Sequence, residues 1–151
     1  MLTLEEGTRL AVATKGTPVI DGSIDSVWNN TNAVETDRWV IGSKGSNAKV
    51  RTLWDDGHLY ILAEVSDTLL SKRSSQAHQQ DSVEIFIDQN RGRTDHFEPD
   101  DGQYRINFDN ERTVNPASKS GSVVSATKRT ASATWWKRLF LGLVRHRNQM
   151  I

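Results

Sequence analysis

The sequence predicts an all-β chain, a jelly-roll or immunoglobulin-like β-sandwich of two antiparallel sheets. Three observations carry this. Short runs alternate apolar and polar residues with a period of two. Gly and Asp/Asn turn signals punctuate those runs, and no sustained helical period precedes residue 133. A lone sheet leaves an apolar face in water, so two packed sheets are the expected solution.

Ala48 to Trp54 alternates Lys49 and Arg51 with Val50, Thr52 and Trp54. Asp55-Asp56-Gly57 follows and reads as a tight hairpin turn, on the expectation that Asp-Gly adopts positive φ. His58 to Val65 then places Leu59, Ile61, Ala63 and Val65 on one face. Ser82 to Asp88 sets Val83, Ile85 and Ile87 against Glu84, Phe86 and Asp88. Gln103 to Asp109 alternates Tyr104, Ile106 and Phe108 inward with Gln103, Arg105, Asn107 and Asp109 outward. Val123 to Lys128 is a further candidate strand, and Ser/Gly-rich Asn115 to Ser122 reads as a loop.

The 151 residues suit one domain, and 36% hydrophobic with 25% charged residues is a globular composition. There is no Cys, which excludes disulfides, thiolate catalysis and Cys-based metal centres. No apolar run reaches the ~18–20 residues of a membrane helix. The start, MLTLEEGTRL, carries acids where a signal peptide has a basic region. A formal net charge of zero argues against nucleic acid as a partner, but it conceals two unlike parts. Residues 1–111 hold all 19 acids and 11 of the 19 bases, a net of −8; residues 112–151 hold 8 bases and no acid. Such asymmetry marks a basic arm, a membrane-surface segment or a foreign tail.

No nucleophile elbow, P-loop, dinucleotide fingerprint or zinc-protease motif occurs, and the four His residues (58, 78, 96 and 146) lack ligand spacing. Carboxylate pairs for glycoside hydrolysis would come from Asp55-Asp56, from Glu98 with Asp100-Asp101, or from Glu84. The first is explained as a turn. The second, in TDHFEPDDGQ, reads as a solvated loop or as oxygen ligands for a hard cation. Glu84, Gln103, Arg105 and Asn107 form a polar sheet face opposite the core residues. Two readings fit it: a solvated face with a Glu–Arg pair, or a platform whose amide, guanidinium and carboxylate groups match vicinal hydroxyls while an aromatic ring stacks on a pyranose.

Four segments in this order and spacing resemble a family 9 carbohydrate-binding module, the type appended to xylanases. They are GTPVIDGSIDSVWNN (16–30), AKVRTLWDDGHLYILAEVSD (48–67), QDSVEIFID (80–88) and DDGQYRINFDNE (100–111). The resemblance covers about residues 12–131 and lacks the family's last strands. It implies a non-catalytic module, residues 1–132, followed by a non-family tail, residues 133–151. The expected partners are xylan, cellulose or their oligosaccharides and an upstream catalytic domain, normally an endo-1,4-beta-xylanase, in an extracellular enzyme. It also implies structural calcium, with Asp67 and Asp81 as candidate ligands or, equally, as turn residues. Glu84 and Arg105 match sugar-binding positions, with Gln103 and Asn107 beside them. His78 stands where the family has a sandwiching Trp, and an imidazole offers less stacking area. Two rival classes remain, a haem- or sugar-binding redox sandwich and a fragment of the hydrolysing enzyme itself. Met occurs only at positions 1 and 150, which disfavours haem ligation.

Ala133 to Asn148 reads ATWWKRLFLGLVRHRN, with Trp135, Trp136, Leu139, Phe140, Leu143 and Val144 at helical spacing. Read directly, it is a basic amphipathic helix. Read one nucleotide earlier, residues 133–142 can become Gly-Tyr-Val-Val-Glu-Ala-Ala-Ile-Pro-Trp, the alternating strand such a module places here. A sandwich without its last strands exposes sheet edges, so a marginal or oligomeric protein is expected.

Overall fold

A computed structural model describes residues 10–38, 42, 45–67, 69–130 and 135–144. Among the described residues nine strands form two sheets. β1 (Thr14–Lys15), β2 (Val34–Thr36), β3 (Asn47–Trp54), β4 (His58–Asp67), β8 (Val123–Thr130) and β9 (Trp135–Val144) build the larger one. Its order is β1-β3-β4-β9-β8, with β2 also on β3. β5 (Ser82–Ile87), β6 (Gly102–Asn107) and β7 (Arg112–Asn115) form the second, antiparallel throughout. Among the described residues no helix is long and apolar enough to cross a membrane. The two-sheet expectation holds.

The core lies between the sheets. Ile61 and Ala63 of β4, Tyr104 and Ile106 of β6, and Val123 of β8 are buried together. Val83, Ile85 and Ile87 of β5 pack against them, as the alternation predicts. The opposite face of β4 is buried too. Tyr60 and Leu62 meet Leu53 and Trp28, and Trp28 is carried over the sheet by a 3-10 turn, Ser26–Asn30. β4 is therefore covered on both sides, which explains its nearly continuous apolar sequence.

The β3–β4 hairpin forms where expected, but by another device. Gly57 does not adopt positive φ. Instead the Asp55 carboxylate accepts hydrogen bonds from the Gly57 and His58 amides, both at 2.8 Å. It also receives the Tyr60 hydroxyl at 2.6 Å and the Thr17 hydroxyl at 2.8 Å. Burial pushes the Asp55 carboxyl up, but the hydrogen bonds from Tyr60, Gly57, Thr17 and His58 outweigh it. They hold the group well below the usual carboxylate range. A carboxylate so held stabilises the native state above its unfolded value of about 3.9, and that contribution fades as pH falls through the lowered native value. Asp55→Ala should lower stability near neutrality by about 2 kcal/mol. It should also flatten the acid limb of a urea-unfolding series run from about pH 7 to pH 3. An unchanged acid limb would show that other carboxylates set it.

Two further expectations are corrected. The segment read as an amphipathic helix is a strand over Trp135–Val144, its flanks 133–134 and 145–148 lying outside the described residues. β9 pairs with β4 from His58↔Val144 to Asp67↔Trp135, and with β8 from Val123↔Leu143 to Thr130↔Trp136. A helix there would leave two long strands, β4 and β8, with unpaired amides and carbonyls along facing edges. That cost outweighs the helical spacing. The second correction concerns Asn107, expected on the outward face as an open polar group. It is 5% exposed.

Candidate functional site

The polar face of β5-β6-β7 is a grid fixed by register. Glu84 lies opposite Arg105, and Arg105 opposite Thr113. Ser82 lies opposite Asn107, and Phe86 opposite Gln103, which faces Asn115. Directly opposed residues share a face, so Glu84, Gln103, Arg105 and Asn107 come together as predicted.

Their contacts differ in kind. Arg105 Nη2 donates to Glu84 Oε1 at 2.5 Å, and the Gln103 amide donates to the same oxygen. The Arg105 side chain is 15% exposed and that of Glu84 31%, so the charged pair is half-shielded from water. A charge-assisted bond in this setting fixes both side chains while leaving guanidinium and carboxylate edges for a ligand. Asn107 is held more fully. Its Nδ2 donates to Gln80 at 3.0 Å and to the Glu111 carboxylate, and its Oδ1 accepts the Asp109 and Glu111 amides at 3.0 and 2.9 Å. Asn107 therefore shapes the turn after β6. The Asn107 bond, followed by Lys72, holds the Glu111 carboxyl below its ordinary range.

A cleft of about 170 Å³ opens beside this group, lined by Ala77, Gln80, Arg105, Asn107, Glu111 and Thr113. Donors and acceptors thus converge on a concavity, the arrangement that recognises a polyhydroxylated ligand. His78 is exposed in the 3-10 turn Ala77–Gln79, next to cleft-lining Ala77. Sequence reasoning placed Phe86 on this face without assigning it a role; it is 63% exposed. An outward aromatic on an alternating strand was the signal available.

Asp67 and Asp81 line a different cleft of about 110 Å³, at the mouth between the sheets. Asp67 Oδ1 accepts the Leu69 amide at 3.0 Å, and Asp81 Oδ2 accepts the Ser71 amide at 2.6 Å. Both tie down the loop after β4, which is the turn role left open above. Among the described residues the group of carboxylates close enough to share a cation is Asp88, Asp100 and Asp101, with oxygens within 4.8 Å of one another. Asp88 also accepts the Gly92 and Arg93 amides, and Asp100 accepts the Asn90 amide. The Arg93 amide foremost holds the Asp88 carboxyl below its usual range. Asp101 Oδ1 is buried without a hydrogen-bond partner among the described residues. Crowded carboxylates with one unsatisfied oxygen fit a hard cation. A Cβ at Gly92 would lie 2.6 Å from the Glu98 carboxylate and 2.7 Å from Asn90 Oδ1, so both side-chain ends would have to shift to admit it.

Residues 20–138 match the family model described as carbohydrate family 9 binding domain-like. Over 131 residues, 87% of this chain, it is 47% identical to Exoglucanase XynX of Acetivibrio thermocellus and 45% identical to Endo-1,4-beta-xylanase A of Thermoanaerobacterium saccharolyticum. Those alignments span 12% and 11% of the two relatives' lengths. A family 9 carbohydrate-binding module from Caldicellulosiruptor kristjanssonii in complex with glucose superposes with a TM-score of 0.78 at 32% identity. That superposition covers 91% of this chain and 70% of the other. The same module in complex with cellotriose gives 0.76 at 33% identity, covering 89% and 67%.

Proposed function

The chain belongs to the carbohydrate family 9 binding domain-like family, and from that premise we propose that it binds β-linked glucose or xylose oligosaccharides and the ends of cellulose or xylan chains. It does so without cleaving them. The observation that carries this reading is the half-shielded Arg105–Glu84–Gln103 group, whose Arg105 lines the 170 Å³ cleft. In that geometry Arg105 donates to a pair of hydroxyls while Glu84 accepts from them, and each is held in place before the sugar arrives. Glu84 is committed to Arg105 and Gln103, an arrangement suited to orienting hydroxyls. Joined to a xylanase, such a module would keep the enzyme near its polysaccharide outside the cell and raise its effective concentration there. Titration calorimetry with glucose, cellotriose and xylotriose tests the reading. Heat that saturates with at least one of them supports it, and no heat at millimolar sugar would sink it.

Calcium is the second part of the proposal, as a structural ion held by Asp88, Asp100 and Asp101. It would neutralise three clustered carboxylates and satisfy Asp101 Oδ1. Adding calcium to chelator-treated protein should raise Tm by several degrees, since binding only the native state stabilises it. Asp101→Asn should remove most of that increment. An equal increment in the variant would move the ion elsewhere.

A further inference from the structure

We propose that Phe86 is a second sugar-contacting position, a platform for the ring adjacent to the one held by Arg105 and Glu84, so that the site favours oligosaccharides over free monosaccharide. The inference rests on the glycan reading above and assigns a residue that reading does not use.

β5 alternates strictly: Val83, Ile85 and Ile87 pack into the core, while Ser82, Glu84 and Phe86 are exposed. A phenylalanine on the exposed side contributes little to folding, and at 63% exposure it keeps most of its surface in water. Its neighbours across the ladder are polar, Gln103 and then Asn115. Gln103 links this row to the charged pair, because its amide donates to Glu84. From Asn107 through Arg105 to Gln103 the face runs four residues, about 13–14 Å at ~3.4 Å per residue. The cleft occupies the Asn107–Arg105 end. A saccharide seated there and extended along β6 reaches the Gln103 row, where Phe86 stands opposite.

The chemistry of the two ends is complementary to a pyranose chain. Hydroxyls lie around the edge of each ring and meet the donors and acceptors of the Arg105 end. The C–H face of the next ring is apolar and suits an aromatic surface. Burying an exposed Phe ring under that face removes water from both.

The test titrates the full chain with glucose and with cellotriose, for the unaltered protein, Phe86→Ala, Phe86→Trp and Glu84→Gln. Phe86→Ala should weaken cellotriose binding at least about fivefold and leave glucose binding unchanged. Phe86→Trp, with a larger ring, should retain or strengthen cellotriose binding, which also controls for loss of fold. Four results overturn the assignment in distinguishable ways. If Phe86→Ala binds cellotriose normally while Glu84→Gln does not, the site stands and Phe86 has no part in it. If Phe86→Ala weakens both sugars equally, Phe86 meets the first ring and not the second. If the unaltered chain binds neither sugar, the glycan reading itself fails. A dimer dissociated by Phe86→Ala, with no change in sugar affinity, would make the ring a self-association contact instead.

Discussion

Arg105→Ala is expected to lower oligosaccharide affinity by roughly 30- to 1,000-fold, the equivalent of about 2–4 kcal/mol for losing charge-assisted bonds. Two losses combine. The guanidinium no longer donates to the ligand, and Glu84 loses the 2.5 Å contact that fixes its carboxylate. Gln103 alone then holds Glu84. Arg105→Lys should recover only part of the affinity, because an ammonium keeps the charge but cannot serve two acceptors with a planar fork. Calorimetric titration measures both, and circular dichroism melting separates binding from folding. The Arg105 side chain is 15% exposed, so some fall in Tm accompanies the alanine variant. Affinity within a factor of about three of the parent would make the Glu84–Arg105 pair a structural ion pair, worth no more than a surface salt bridge.

The largest effect on stability is expected at Tyr104. Its side chain is 2% exposed between the two sheets, in contact with a hydrogen-bonding partner in Ser122. Burial pushes its phenol up, so the ring stays neutral in the core. Truncation to alanine should cost about 3–5 kcal/mol. That is a large share of the ~5–15 kcal/mol that stabilises a typical domain. Gly102 offers a finer probe of the same contact. A Cβ there would lie 2.6 Å from the Tyr104 ring and hydroxyl, and the buried ring has nowhere to go. Gly102→Ala alone should therefore destabilise by about 1–3 kcal/mol. In a Tyr104→Leu background the penalty should largely vanish, since the ring it collides with is gone. Urea unfolding of the four proteins in a double-mutant cycle gives the coupling directly. Additive effects would mean that Gly102 matters for its backbone and not for the ring above it.

Much of this arrangement was legible in the residues. β5 and β6 alternate cleanly because one face of their sheet is apolar and the other wet, and the register that joins Glu84 to Arg105 follows from that pattern. β4 was legible through the one face of Leu59, Ile61, Ala63 and Val65, whereas the burial of Tyr60 and Leu62 on its other face was not. β9 was not. Its Leu-Phe-Leu-Gly-Leu-Val segment carries no period-two signal, and a short apolar run fits helix or strand equally. Only the long-range fact that β4 and β8 both lack a neighbour decides it, and no local window contains that fact. Asn107 failed differently: alternation gave its face, but not the Gln80 and Glu111 side chains that bury it. The carboxylate cluster was half legible. Asp100 and Asp101 stood out as an oxygen-rich loop, whereas Asp88 reads as the end of a strand until the chain folds back on it.

β9 has a kinetic meaning as well. It follows every other strand in sequence, yet it sits inside the larger sheet, with β4 on one side and β8 on the other. Residues 68–134 separate it from β4, so their pairing closes a long loop before any contact rewards it. During synthesis β1 to β8 emerge first and must wait, with β4 and β8 open, until residues 135–144 leave the ribosome. The larger sheet therefore completes itself only after translation of this interior strand, and the interval before that is when a chaperone, or another nascent chain, can take the vacant place.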